Sequence, residues 1–319
     1  MKVKILVAIA VIIAGLFLFA ELALRLLFGF GNPPLYLADE EIGYLLAPNQ
    51  NVRRSGNRFI INEYSMRSPS FSTERHQETL RVFLLGDSVA NGAWWTDQNR
   101  VISTLMQQQL AVTGKTVEVL NASANSWSPR NQLAYLRRYG VFSSQVVILL
   151  INTDDLFGAA PTSLPVGNSL YYPEKKPPLA LVELYNRYFV GEKPIPGMKE
   201  VQAEAGDRVG FNLEAIEEIK KICVANNSQF ILAMTPLLRE IGEPGSRDYE
   251  QKARKRLQEF VSAQEIYYID FLPIFEANPQ PESLYRDHIH LSNKGDDLVS
   301  EKLNESVKSV VINESSEDK

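Results

Sequence analysis

A serine hydroxyl becomes a useful nucleophile only when a base takes its proton, and a histidine serves best as that base when a carboxylate orients it. The chain holds three histidines. His76 stands between Arg75 and Gln77 in a polar stretch and reads as solvated, whereas His288 and His290 fall together in Arg286-Asp287-His288-Ile289-His290-Leu291-Ser292. Asp287 and His290 are three apart, so a single turn of chain lets the carboxylate hold the imidazole. Far upstream, Gly86-Asp87-Ser88 ends the apolar run Leu80–Leu85. Glycine permits a sharp turn there and sets Ser88 among unpaired backbone N–H groups. Either segment alone has an ordinary reading, Gly-Asp-Ser as a strand-to-helix cap and Asp287 as a turn residue. Together they point to nucleophilic catalysis with Ser88 attacking, His290 as base and Asp287 as orienter.

The pair His288-x-His290 beside Asp287 also has the residue types of a metal site, but no second cluster of His, Asp or Glu completes one, and no metal or cofactor is expected. A G-x-S-x-G elbow is absent, which argues against the fold that carries it. The single cysteine, Cys223, allows no internal disulfide and lies on what reads as the apolar face of a helix, so it is expected to be buried and inert. With a net charge of -5 and no long basic block, nothing suggests a nucleic-acid partner.

These residues need a scaffold. Leu80–Leu85, Val117–Leu120 and Val146–Ile151 are short apolar runs separated by helical patterns, and strand-helix alternation implies a parallel sheet wrapped by helices. Such sheets bind ligands beyond the C-terminal ends of their strands, where Ser88 and the Asp287/His290 segment fall. The alternation continues with a helix over Leu213–Asn226, a strand over Phe230–Met234, a helix over Tyr249–Ser262, a strand over Ile266–Ile269 and a closing helix over Gly295–Val310. Between 157 and 210 the rhythm breaks in a stretch holding Pro161, Pro165, Pro173, Pro177, Pro178, Pro194 and Pro196, too long for a connection and expected to be an insertion or lid. Residues 32–79 read as a small strand-bearing collar and 311–319 as a flexible tail.

From Ile5 to Phe30 the chain is almost continuously apolar, long enough to cross a hydrocarbon core of roughly 30 Å. Residues 1–31 are therefore expected to form a transmembrane anchor. Lys2 and Lys4 precede this stretch while Asp39, Glu40 and Glu41 follow it, which leaves the N-terminus cytoplasmic and the rest extracytoplasmic or periplasmic. A cleaved signal peptide is the alternative, though the run exceeds the usual length and no small-x-small site ends it. All three tryptophans, Trp94, Trp95 and Trp127, fall in loops after the first two strands, either as sugar-stacking platforms or as packing for those loops.

Gly86-Asp87-Ser88 after the first strand and Asp287-x-x-His290 near the C-terminus resemble the first and last blocks of the SGNH, or GDSL, hydrolases. Asn121-Ala122-Ser123-Ala124-Asn125-Ser126-Trp127-Ser128 is similar to the second block, and Asn152-Thr153-Asp154-Asp155 to the third. The resemblance spans about residues 80–310 and implies a flavodoxin-like three-layer α/β/α sandwich. It implies an oxyanion hole from the N–H groups of Ser88 and Ser126 with a side-chain donor from the third block. Two positions depart from the pattern: Ser126 replaces a glycine, and Asp154 replaces the asparagine donor, leaving Asn152 and Asn125 as candidate substitutes. An ionised carboxylate facing an oxyanion would repel it.

The implied activity is acyl transfer, by an esterase or O-acyltransferase acting on ester-linked acyl groups, acetyl among them, of an envelope polysaccharide or lipid. The competing reading is a catalytically weak or inactive relative that binds glycan or scaffolds an assembly.

Overall fold

A computed structural model describes residues 2–110 and 116–317. The central sheet is built from the apolar runs: β5 (Thr79–Gly86), β6 (Thr116–Ser123), β7 (Val146–Asn152), β8 (Gln229–Thr235) and β9 (Tyr267–Asp270). All are parallel, in the order β6-β5-β7-β8-β9. β5 and β7 are buried along their whole length, which is why they read as apolar runs, interrupted in β5 only by Arg81, which is buried and paired with Glu118. Successive residues still alternate between faces. Phe83, Leu85, Val147, Leu149 and Ile151 join one core with α4 (Pro129–Tyr139), α7 (Arg208–Ala225) and α8 (Asp248–Ala263). Val82, Leu84, Ile148 and Leu150 join the other with α3 (Ile102–Leu110), α9 (Phe271–Glu276) and α10 (Asn293–Glu317). The result is the three-layer α/β/α sandwich of flavodoxin-like strand order.

The chain enters this sandwich through α1 (Lys2–Ala23), which runs into one π-helical turn, Leu24–Phe28, stopped by Gly29 at φ 73°. Lys2–Phe28 is long and apolar enough to cross a membrane. Two antiparallel hairpins follow, β1 (Tyr36–Asp39) with β2 (Gly43–Leu46) and β3 (Gln50–Arg54) with β4 (Asn57–Ile61). Ser55 and Gly56, both at positive φ, form the two-residue turn that matches strand twist. Tyr36, Tyr44, Phe59, Ile61 and Met66 pack into the same core as the sheet, so this segment shares the interior of the sandwich.

The stretch between β7 and α7 carries only short helices, α5 (Ala180–Tyr185), a π-turn at Asn186–Val190, and α6 (Met198–Gln202). The helix expected from Gly295 begins two residues earlier and runs on to Glu317, through most of the stretch expected to be a flexible tail; Asp318 and Lys319 lie outside the described residues.

Candidate active site

β5 delivers Ser88 to the C-terminal edge of the sheet. A Cβ on Gly86 would lie 2.4 Å from the Ala90 Cβ and 3.0 Å from the Leu150 carbonyl oxygen, so only glycine lets the chain fold back this tightly. Asp87 then caps α2 (Ser88–Asn91), its carboxylate accepting from the Val89 N–H at 2.9 Å. The cap and the serine are thus consecutive residues of one turn.

The Asp287–His290 segment reaches the same sheet edge after β9 and α9, its flanking Leu284, Tyr285 and Leu291 packing in the same core as Val89 and Ala90 of α2. The bridge between Tyr285 and Leu291 closes it into a tight loop, and the Tyr285 hydroxyl donates to the Pro236 carbonyl at 2.7 Å. Asp287 Oδ1 accepts the Ile289 and His290 N–H groups at 3.0 and 2.9 Å. Its other oxygen lies 2.8 Å from His290 Nδ1, and His290 Nε2 lies 3.0 Å from Ser88 Oγ. Partial burial pushes the Asp287 carboxyl up, but the two backbone donors and the imidazole outweigh that and hold it below its ordinary value. An ionised Asp287 favours the tautomer with hydrogen on Nδ1 and leaves Nε2 free to accept the serine proton.

Behind the serine lies a buried polar knot. Asn152, at the end of β7, donates its amide N–H to Asp87 Oδ2 at 2.6 Å, and its backbone N–H goes to Asp155 at 2.9 Å. Burial lifts the Asp87 carboxyl, and lifts that of Asp155 well above the usual range with the neighbouring Asp87 charge adding to it. Asn152 is therefore engaged beneath Ser88 and does not line the cleft, contrary to its expected place as a candidate oxyanion donor. Asp154 does not line the cleft either. Its half-exposed side chain lies 3.8 Å from Arg239.

Ser126 does line the cleft, at φ 58°, the left-handed conformation a glycine would take freely. Among the described residues, neither the Ser88 nor the Ser126 backbone N–H donates to a protein acceptor. The Ser126 hydroxyl accepts from the Tyr172 hydroxyl at 3.0 Å.

The cleft, of about 290 Å³, is walled by Trp94 and Trp95 of the loop after α2, by Pro33, Pro34 and Tyr36, by Asn125 and Ser126, and by Tyr171, Tyr172, Pro173 and Arg187. Trp95 meets the His290 ring edge-on at 4.8 Å between centroids. Trp127 is elsewhere. It is 1% exposed, donates Nε1–H to the Tyr44 carbonyl at 3.1 Å and packs on Tyr135, so the sugar-platform reading fails for it. Arg130 is paired with Glu204, and Arg286 lies over the Trp95 ring.

Several contributors were not read from the sequence. Arg67 is fully buried, stacks on Phe59 and gives its guanidinium to the carbonyls of Asn91, Ala93 and Thr96, fixing the loop that presents both cleft tryptophans. Tyr172 and Arg187 come from the proline-rich stretch, where no periodic signal tells which side chains turn inward.

The parallel sheet thus gathers Ser88, His290 and Asp287 within hydrogen-bond distance of one another at its carboxyl edge. Residues 84–298 match the GDSL-like lipase/acylhydrolase family, and the chain belongs to that family. Similar solved structures include the acetyl xylan esterase AlAXEase, at 16% identity and TM-score 0.48 over 71% of this chain and 99% of that one. A lipase/acylhydrolase from Enterococcus faecalis shows 15% identity and TM-score 0.44 over 72% and 95% of the two chains. The psychrotrophic esterase EstA from a Pseudoalteromonas species shows 14% identity and TM-score 0.44 over 73% and 98%. No curated protein sequence matches significantly.

Proposed function

We propose that the protein is a membrane-anchored serine esterase or O-acyltransferase whose catalytic domain lies outside the cytoplasm and acts on ester-linked acyl groups, acetyl included, of an envelope glycan or lipid. The observation that carries this reading is the continuous relay from Ser88 Oγ to His290 Nε2 at 3.0 Å and from Nδ1 to Asp287 at 2.8 Å.

In the reaction the Ser88 hydroxyl gives its proton to His290 Nε2 as its oxygen bonds to the ester carbonyl carbon. The carbonyl oxygen takes up the negative charge and is met by the unpaired N–H groups of Ser88 and Ser126. Collapse breaks the bond to the leaving alkoxide, which takes the proton from His290. Water, or an acceptor hydroxyl, then gives its proton to His290 as its oxygen bonds to the acyl carbon; the bond to Ser88 Oγ breaks, and His290 returns the proton to that oxygen. The tyrosines of the 157–210 insertion narrow the cleft, which favours an acceptor hydroxyl over water. Asp154 takes no part, because its carboxylate faces Arg239. With no third-block amide donor, the hole works with fewer hydrogen bonds, and each missing donor costs on the order of a hundredfold in rate.

Retention of the anchor is supported by its far end, where Glu21 is buried against Ala180 and Leu181 and would be lost on cleavage beyond it. The charge pattern of Lys2 and Lys4 favours an outside catalytic domain.

Labelling of the full-length protein with a small fluorophosphonate tests the chemistry. The wild type is expected to label, Ser88→Ala to lose the label, and Asp154→Asn to label within about twofold of wild type, far from the hundredfold effect of an oxyanion donor. A folded wild type that stays unlabelled sinks the enzyme reading in favour of a glycan-binding or scaffold role.

A further inference from the structure

From Lys2 to Phe19 the surface of α1 is exposed on every side, and at Glu21 this changes abruptly. Glu21 is 6% exposed, and its carboxylate accepts the N–H groups of Ala180 and Leu181 at 2.8 and 3.0 Å. The bare stretch measures about 27 Å at 1.5 Å per residue, close to the roughly 30 Å hydrocarbon core of a bilayer. If α1 spans, the membrane surface therefore passes near Glu21, and whatever packs against that level sits at the boundary between headgroups and acyl chains.

What packs there is the segment from Ala180 to Val190. It is tied rigidly to the end of the anchor, because Glu183 accepts from the Gly31 N–H at 2.7 Å and from Arg54 at 2.6 Å. Outward it shows Tyr185, Tyr188, Phe189 and Val190, exposed by 59%, 71%, 75% and 42%, with the Tyr185 and Phe189 rings stacked at 5.6 Å. Spacings of three and four put the three aromatics on one face. The last turn of the anchor adds Leu26 and Leu27, exposed by 78% and 68%. Four apolar or aromatic side chains held open on a short helical segment are costly in water, and tyrosine and phenylalanine are at home in the membrane interface.

We propose that Tyr185–Val190 is a second membrane contact, seated in the interface of the leaflet from which α1 emerges. The proposal rests on the anchor reading above and goes beyond it. One helix would let the domain tilt freely, whereas two contacts joined through Glu21 and Glu183 fix its pose. Pro33, Pro34 and Arg187 belong to this same unit and wall the cleft, so the cleft is held beside the bilayer where membrane-borne esters are concentrated.

The test uses full-length protein in phosphatidylcholine vesicles, labelled at single introduced cysteines with an environment-sensitive fluorophore. Cys223 is buried, and burial pushes its thiol up to about 12, so it stays unlabelled. Lipids carrying a shallow quencher, about 5–10 Å below the surface, are expected to quench Phe189→Cys and Tyr188→Cys as strongly as Leu22→Cys in the anchor, and to leave Val224→Cys, exposed near the end of α7, unchanged. Quenching at Leu22 without quenching at 188 or 189 overturns the second contact and leaves the anchor standing. Absence of quenching at all three removes the anchor and the proposal with it.

Discussion

At the scale of single residues, Ser126 is where the chain departs from its family's pattern yet keeps the backbone geometry. It holds φ 58° with a side chain present, a conformation that costs an L-residue roughly 1–2 kcal/mol. Ser126→Gly is expected to stabilise the protein by about 1 kcal/mol in thermal denaturation while fluorophosphonate labelling stays near the wild-type rate, since the N–H is unchanged. Ser126→Val should do the reverse on both counts, because a β-branched residue resists this conformation. Equal labelling in both variants would remove the Ser126 N–H from the oxyanion hole. Ser88, His290 and Asp287 were legible as a candidate set because that chemistry is restricted to few residue types and the chain has only three histidines. Arg67 was not legible, since nothing local marks an arginine whose hydrogen-bond acceptors lie 24 to 31 residues away.

At the scale of elements, α10 begins directly after the histidine loop, and a Cβ on Gly295 would come within 2.2 Å of the Leu284 carbonyl oxygen. Next to this close approach Asp296 is buried, and burial raises its carboxyl to about 7; its neighbours Arg100 and Arg67 pull it down and Asp297 pushes it up. A carboxyl whose folded value is raised lends its stability in the neutral form, present in full below about pH 4 and lost as pH climbs through about 7. Asp296→Asn, neutral at every pH, should flatten the fall in thermal midpoint between those limits. An unchanged slope in the variant would place the titration elsewhere. The strands were readable because burial on both faces leaves a largely apolar run; their ends moved outward at Thr79, Thr116, Gln229 and Thr235 as well as at Gly86, Ser123 and Asn152, and the last three extend the ladder into the site.

At the scale of the whole molecule, the hairpins and the insertion meet at one cleft, and the N-terminal helix is tied to the insertion beside it. Glu21 links them, and Glu21→Ala leaves the Ala180 and Leu181 N–H groups without their acceptor, at a cost of about 1–3 kcal/mol for a buried donor. The variant is expected to stay in the membrane pellet on alkaline extraction, because the apolar stretch is intact, while its thermal midpoint falls and hydrolysis of a bilayer-embedded ester slows more than that of a short soluble one. Release of the wild type by the same extraction would contradict the anchor. An unaltered midpoint in the variant would show that the link carries no load.

The sequence by itself determined the parallel α/β architecture through local periodicity and the family through four blocks in order, and it singled out Ser88, His290 and Asp287 as candidates through chemistry that few residue types supply. Only the tertiary structure decided which residues wall the cleft. It buried Trp127, turned Asp154 toward Arg239, spent the Asn152 amide on Asp87, and brought Tyr172 and Arg187 in from a proline-rich stretch. Each outcome depends on contacts between segments far apart in the chain, whose directions no local spacing encodes.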